Sequence, residues 1–303
     1  MDIRTDLALE MRDKAIKNDK KELDDVDFTE STEGEFKITK IKIGKNSESF
    51  LGCGAGSYVT LEFSRFKAAD TDRFYLLCEL LTRELSYLIR GKSKRFPKKI
   101  LVACLGNADI SADALGPLTA KSLIVTGHLK KLDAELFKSF GSVELTALSL
   151  GVMAQTGIES ADIIKSVVAK TCPEAVIAVD ALSSRELSRL ACTLQLSDAG
   201  ICPGSGIGNH RAALNEATLG VPVFSIGVPT MVEISALVCD ALETLGLSWD
   251  GNVRQRLGEN GRLLVAPKDS AIIIADLAKL IGFAIDRTFL YGLDYGEIAR
   301  LTS

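Results

Sequence analysis

Two aspartates stand just past short apolar runs. Asp113 lies beyond ILVACLG (100–106), inside LGNADISADALGP, and Asp180 directly follows AVIAV (175–179), inside VIAVDALSSR. When two carboxylates share one proton, the ionised partner can take a proton from water while the protonated one hydrogen-bonds the scissile carbonyl, because close like charges resist double ionisation. Peptide hydrolysis then needs no histidine, cysteine or metal. An aspartate after a strand also serves as a cap for the next helix, so residue type and position leave both roles open for this pair.

Other chemistries fit less well. The chain has two histidines, His128 and His210, and neither stands beside a nucleophile motif. His128 is expected near a helix end, and His210 facing solvent in a glycine-rich loop. HExxH is absent, and no metal site or cofactor is expected. Ser205 has Pro203 where a nucleophile elbow needs glycine. GSGIGN (204–209) has its glycines at the wrong spacing for a dinucleotide fingerprint and lies late in the chain. Gly91-Lys92-Ser93 lacks the earlier glycine of a phosphate loop, with Ser86 in that place. The DTG or DSG signature of pepsin-like proteases is missing too, its nearest approach being Asp198-Ala199-Gly200.

The elements that must position the two aspartates follow from periodicity. From residue 99 onward, nearly all-apolar runs (ILVACLG, VELTALSLG, EAVIAVDAL, TLQLSD, VPVFSIGVP) read as strands covered on both faces. Helical patterns at 114–129, 158–170, 183–190 and 231–245 lie between most of them, and a last one spans 270–289. Strand alternating with helix implies α/β architecture, a mostly parallel sheet sandwiched by helices. Before it come strand patterns at 36–43, with a phase slip at Lys40-Ile41 that reads as a bulge, and at 57–63, then an amphipathic helix over 71–89. These N-terminal strands are expected as added β elements of one domain spanning 1–303. Residues 1–30, rich in Lys, Asp and Glu, are expected to be flexible apart from a short helix over 7–15.

Ligands of open parallel sheets bind beyond the carboxyl ends of the strands. If the strands before Asp113 and Asp180 are neighbours, both carboxylates enter one crevice. Loops at 149–154, 204–209 and 227–230 border the same edge. By loop position, Asn107, Gly151, Met153 and Ser205 are candidate substrate-binding or supporting residues.

Composition narrows the partners. The chain has 303 residues, 47% hydrophobic and 25% charged, a net charge of −4 and a pI near 5.5. No direct nucleic-acid binding is expected against that overall field, and the basic run 90–99 reads as a solvated helix end and loop. No apolar stretch is long enough to span a bilayer. Seven cysteines without a CxxC pair suggest buried thiols in a reducing, cytoplasmic compartment.

Several segments go beyond pattern: RTDLALE (4–10), LGNADISADALGP (105–117), SLGVMAQTGIESADI (149–163), VIAVDALSSR (176–185), QLSDAGICPGSGIGNHR (195–211) and VPVFSIGVPT (221–230). In this order they strongly resemble the germination protease family of spore-forming Firmicutes. The resemblance implies a metal-independent, cytoplasmic endopeptidase of the spore core that degrades small acid-soluble spore proteins during germination. It implies a fold similar to that of hydrogenase maturation proteases, a homotetramer, and catalytic aspartates at Asp113 and Asp180. Family members are zymogens with a short self-cleaved prosegment. Here Met1-Asp2-Ile3 precede RTDLALE, so almost no prosegment, or a different regulation, is expected. The run 247–262 is short for an extra C-terminal segment of the family. Two further readings stay open: a hydrogenase-maturation-like peptidase that senses a metal in its substrate, and a non-catalytic α/β binding protein in which both aspartates are caps or anchors.

Overall fold

Apolar runs too short for helices and rich in Val, Ile and Leu can satisfy their backbone only by pairing, and here they pair into one sheet. The computed structural model describes residues 5–19, 25–47, 53–65, 69–204, 212–247 and 263–302. Its strands are β1 (Val26–Glu33), β2 (Phe36–Ile43), β3 (Gly56–Glu62), β4 (Lys99–Cys104), β5 (Glu144–Ser149), β6 (Ala175–Ser184), β7 (Thr193–Ser197), β8 (Val223–Glu233) and β9 (Leu264–Val265). They run β1-β2-β3-β7-β8-β6-β4-β5 across the sheet, with β9 paired to the far end of β8. The β8-β6-β4-β5 half is parallel and the β1-β2-β3-β7 half antiparallel. The α/β reading with added N-terminal strands therefore holds.

The helices that matter are α1 (Ala8–Asp19), α2 (Thr71–Lys92), α3 (Leu115–Lys121), α4 (Ser160–Thr171), α5 (Ile234–Thr244) and α6 (Ser270–Phe289). Phe74, Leu77, Leu81, Leu85 and Leu88 recur along one stripe of α2 and are buried with Leu277 and Ile281 of α6 against Val102, Val179 and Ile226. On the opposite face Ile164 and Val168 of α4 cover Leu101, Ala103 and Val176. The α1 helix covers Ile41, Ile43 and Tyr58.

Four expectations are corrected. The helix expected over 114–129 stops at Lys121, because Thr126 is drawn to the edge of β5: its N–H donates to the Leu145 carbonyl at 2.9 Å, its hydroxyl accepts from the Leu145 N–H at 2.9 Å, and Gly127 donates to the same carbonyl. That pairing covers the free edge of β5. In place of a helix over 183–190, β6 runs on to Ser184 and a 3-10 turn at Leu187–Arg189 leads into β7. So short a connection cannot make a parallel crossover, which is why β7 runs antiparallel to β8. The helix expected from 231 begins at Ile234, since Met231 and Val232 pair with Ser183 and Ser184 of β6, and Val232 and Glu233 with β9. Finally, β2 has no bulge: its register with β1 and β3 is unbroken. Its phase slip arises because Phe36 and Ile38 are buried under α2 while Ile41 and Ile43 are buried on the other face under α1.

The strand β1 was not anticipated. It is an exposed edge strand with no apolar alternation, joined to β2 by a two-residue turn in which Gly34 has φ +59°. The thiols also divide differently than expected: Cys78, Cys104 and Cys239 are buried, but Cys172 and Cys202 are exposed. Cys172 stands at the C-cap of α4 rather than in its apolar stripe. The basic run ends α2 as a loop, with Arg95 paired to Glu174 and Lys92 3.5 Å from Glu216. No helix among the described residues is long and apolar enough to cross a membrane.

A methyl group at Gly116 would collide with the Leu105 carbonyl oxygen and lie 2.6 Å from the Leu105 nitrogen, so α3 sits directly against the end of β4. Gly116→Ala should lower stability by about 1–3 kcal/mol in urea denaturation; an unchanged midpoint would contradict this packing. Asp286, 0% exposed within α6, accepts the Ile124 N–H with both carboxyl oxygens at 3.2 Å. Burial holds its carboxyl well above the ordinary aspartate range. The native state therefore keeps this proton to higher pH than the unfolded chain does, and stability falls as pH rises between the two pKa values. Asp286→Asn keeps an acceptor and removes the titration. Its urea midpoint should gain on wild type as pH is raised from about 4, and parallel pH profiles would refute the assignment.

Candidate active site

The site begins where β4 ends. Cys104 pairs with Val179, and the Leu105 N–H donates to the Val179 carbonyl at 2.8 Å, which extends the ladder one rung and sets Leu105 beside Asp180. Gly106 then takes φ +113°, a left-handed conformation that disfavours any side chain. A side chain here would also strike the Asp113 carbonyl oxygen, so the chain folds back on itself at this point. The Asn107 N–H is shared between the Asp113 carbonyl oxygen at 3.0 Å and the Asp113 Oδ2 at 2.9 Å. Within the loop the Asn107 Oδ1 accepts from the Asp109 N–H at 3.0 Å, an Asx turn. From the far side, the Thr230 hydroxyl of β8 donates to the Ala112 carbonyl at 2.6 Å. Asp113 ends the 3-10 turn Ser111–Asp113, and the N-cap position of α3 falls on Ala114. The half-buried Asp113 carboxyl thus lies over Gly106, with Oδ1 3.3 Å from where a Cβ would be.

Asp180 is held differently. It does not close its strand as the sequence suggested. It sits inside β6, paired with Gly227 of β8, because both strands run on past the end of β4. It is 6% exposed, and its Oδ1 accepts the Ala181 N–H at 3.0 Å. The lack of a side chain at Gly227 makes room for Leu182, whose Cδ1 lies 2.6 Å from the place of the missing Cβ. The structure therefore brings both aspartates to the junction of β4 and β6. One is fixed in a strand and the other is carried on a loop tied back to the same strand end.

The remaining predicted residues fall as follows. Asn107 supplies the backbone donor to Asp113. Gly151 leaves open the space filled by the Gln155 side chain, whose Oε1 would be 2.9 Å from a Cβ there. Met153 opens the short helix Met153–Thr156 and is 47% exposed. Ser205 and His210 lie outside the described residues, as does most of the run 247–262. Residues 227–230 are not a loop but part of β8. His128 is exposed and directly precedes the short helix Leu129–Leu132. Among the described residues no group of three or more His, Cys, Asp or Glu could hold a metal.

Sequence reasoning missed the N-terminal wall of the site. Residues 5–10 pack along the far end of β6 in place of a flexible tail. The Asp6 N–H donates to the Ser183 carbonyl at 2.9 Å, and the Ser183 N–H returns a bond to the Asp6 Oδ2 at 2.8 Å. Gln195, paired to Gly227 and so on the same face as Asp180, clamps this segment: its Nε2 donates to the Asp6 carbonyl at 3.0 Å and its Oε1 accepts the Ala8 N–H at 2.7 Å. Glu10 accepts N–H bonds from Arg185 and Glu186 and a bond from the Thr5 hydroxyl, yet burial still raises its carboxyl above the usual range. The signal was present in RTDLALE, whose apolar Leu7, Ala8 and Leu9 are buried. Gln155 was missed as well: its Nε2 donates to the Asn107 Oδ1 at 2.9 Å and the Asp109 Oδ2 at 3.0 Å. An open cleft of about 300 Å³ beside β2 and β3 contains neither aspartate, and its Arg189 is engaged by Glu62 and Glu186.

The family described as Germination protease matches residues 3–256. A germination protease of Oceanobacillus iheyensis is 41% identical over 246 residues, covering 80% of this chain and 67% of that protein. One from Priestia megaterium is 38% identical over 246 residues, covering 80% and 66%. In both cases the match spans about two thirds of the relative's length. A germination protease of Clostridium perfringens is 34% identical over 310 residues, covering 94% of each chain. Among solved structures, the NiFe hydrogenase maturation protease HycI from Thermococcus kodakarensis aligns over 64% of this chain and 93% of that one, with 16% identity and a TM-score of 0.35. A family match over residues 3–256, and relatives alike along most of the sequence, lead to one conclusion: this chain belongs to the germination protease family.

Proposed function

We propose that this chain is an endopeptidase that degrades small acid-soluble spore proteins during germination, with Asp113 and Asp180 together activating water. The observation that carries the reading is the β4–β6 junction, where the ladder sets Asp180 beside Leu105 and the Asp113 carboxyl folds over Gly106. One carboxylate takes a proton from the attacking water. The other, protonated, hydrogen-bonds the scissile carbonyl oxygen and stabilises the charge that develops there. The tetrahedral intermediate then collapses as the nitrogen leaves with a proton, which restores the shared-proton pair. The two groups titrate as a unit, so the base and the acid are properties of the pair.

Their settings suit this division of labour. Asp180 is almost wholly buried in a strand, where rigidity fixes its position. Asp113 is half-buried, on a loop held by the Asn107 N–H. Each carboxyl also accepts a backbone N–H bond, Asp113 from Asn107 and Asp180 from Ala181, which orients its oxygens. The same reading places the enzyme in the spore core, as a homotetramer of single-domain subunits.

Digestion of a purified small acid-soluble spore protein tests the assignment. Asp113→Asn and Asp180→Asn should each lower kcat by about 10²–10⁴-fold with thermal unfolding unchanged. Wild-type turnover by either variant would overturn the aspartate pair. A wild-type protein that folds and does not cleave would favour a binding role.

A further inference from the structure

We propose that Gln155 is a positioning residue for Asp113, acting through Asn107 without touching the reacting atoms. The inference rests on the reading of Asp113 as catalytic. Gln155 comes from the loop after β5, whereas Asp113 comes from the loop after β4. Its amide is oriented from its own side, because the Oε1 accepts the Val152 N–H at 3.3 Å, the backbone of the N-cap residue of its short helix. That bond turns the NH₂ group toward the neighbouring loop, where it donates to the Asn107 Oδ1 at 2.9 Å and the Asp109 Oδ2 at 3.0 Å. The Asn107 Oδ1 also accepts from the Asp109 N–H, and the Asn107 N–H is the donor to the Asp113 Oδ2 at 2.9 Å. A continuous chain of hydrogen bonds therefore runs from the Val152 backbone to the Asp113 carboxyl.

The local sequence is built for this link. Any side chain at Gly151 would press on the Gln155 Oε1 at 2.9 Å and the Thr156 Cγ2 at 3.2 Å. Glutamine is the chemistry the position requires: one acceptor toward Val152 and two donors toward two oxygens. A glutamate would turn an oxygen toward the Asp109 carboxylate and the Asn107 Oδ1. A leucine would leave the Asx turn with no tie to β5. In either case the Asn107 N–H is aimed less firmly at Asp113. Since that bond favours ionised Asp113, the acidic limb of the rate profile should move to higher pH.

The experiment measures kcat, KM, the pH profile, thermal unfolding and amide hydrogen exchange for Gln155→Leu, Gln155→Glu and Gln155→Lys. Lysine keeps donors for both oxygens. Leucine should lower kcat about ten-fold with KM within two-fold, shift the acidic limb upward and speed exchange of the Asn107 amide. Glutamate should be worse, and lysine should recover part of the loss. Wild-type kcat and limb in the leucine variant, or a lysine variant no better than leucine, overturns the proposal. Should the leucine variant unfold, Gly151→Ala, which displaces the same amide, must reproduce the limb shift for the proposal to stand. Asp113→Asn run in parallel separates the two failures. If it stays active, the catalytic reading is wrong; if it is inactive while the Gln155 variants are normal, only the positioning role is.

Discussion

The rung from the Leu105 N–H to the Val179 carbonyl is the constraint on which the rest of the site depends. It is the last bond of the β4–β6 ladder. Beyond it β4 has no strand-like continuation, while β6 goes on for five more residues with β8 as its partner. The sheet is therefore stepped, and the step is where a loop can fold over an exposed strand. Parallel pairing makes this available: both chains run toward the same edge, so the residue after β4 and the middle of β6 arrive side by side. In an antiparallel pair one of the two would stand at the opposite end of the sheet.

A step alone does not hold a loop. Three ties from three different elements do so here: Gly116 of α3 pressed on Leu105, Thr230 of β8 bonded to Ala112, and the Gln155 amide on Asn107. The two hydrogen-bonded ties are individually modest, about 0.5–1.5 kcal/mol each. Together the three converge on one seven-residue excursion whose backbone is already committed by Gly106. On the other side of Asp180 the N-terminal segment is held by Gln195, Ser183 and the Arg185–Glu186 backbone. Glu10 shows the cost of that docking. Its carboxyl is raised by burial in spite of its hydrogen bonds and Arg189 at 3.5 Å, so the segment stays mainly through apolar burial of Leu7, Ala8 and Leu9 and the backbone clamp.

Much of this was legible in the residues, and the reasons for the misses are physical. The core strands read clearly because burial on both faces leaves no polar alternation to confuse them, and α6 matched its expected bounds because its stripe is uninterrupted. The strand β1 was invisible because an exposed edge strand owes its existence to backbone pairing with β2, which the composition VDFTESTE does not record. The helix over 114–129 was over-read because a hydrophobic stripe cannot report that Thr126 will bond to β5. Asp113 and Asp180 stood out because each follows an apolar strand run in a chain whose histidines and serines fit no nucleophile motif. Gln155 did not, because its value lies in a tertiary contact with Asn107, forty-eight positions away in sequence.

The asymmetry between the two aspartates follows from the same stepped edge. A side chain within a ladder is placed by the register and can move only if the strand moves, so Asp180 has one position to offer. A side chain on a tethered loop can be adjusted by the ties that hold the loop, so Asp113 is where small changes in neighbouring loops are felt. For a proton-sharing pair, separation sets how strongly the second ionisation is opposed. Under the proposed mechanism, a rigid member paired with an adjustable one lets the surrounding loops tune that separation without disturbing the sheet.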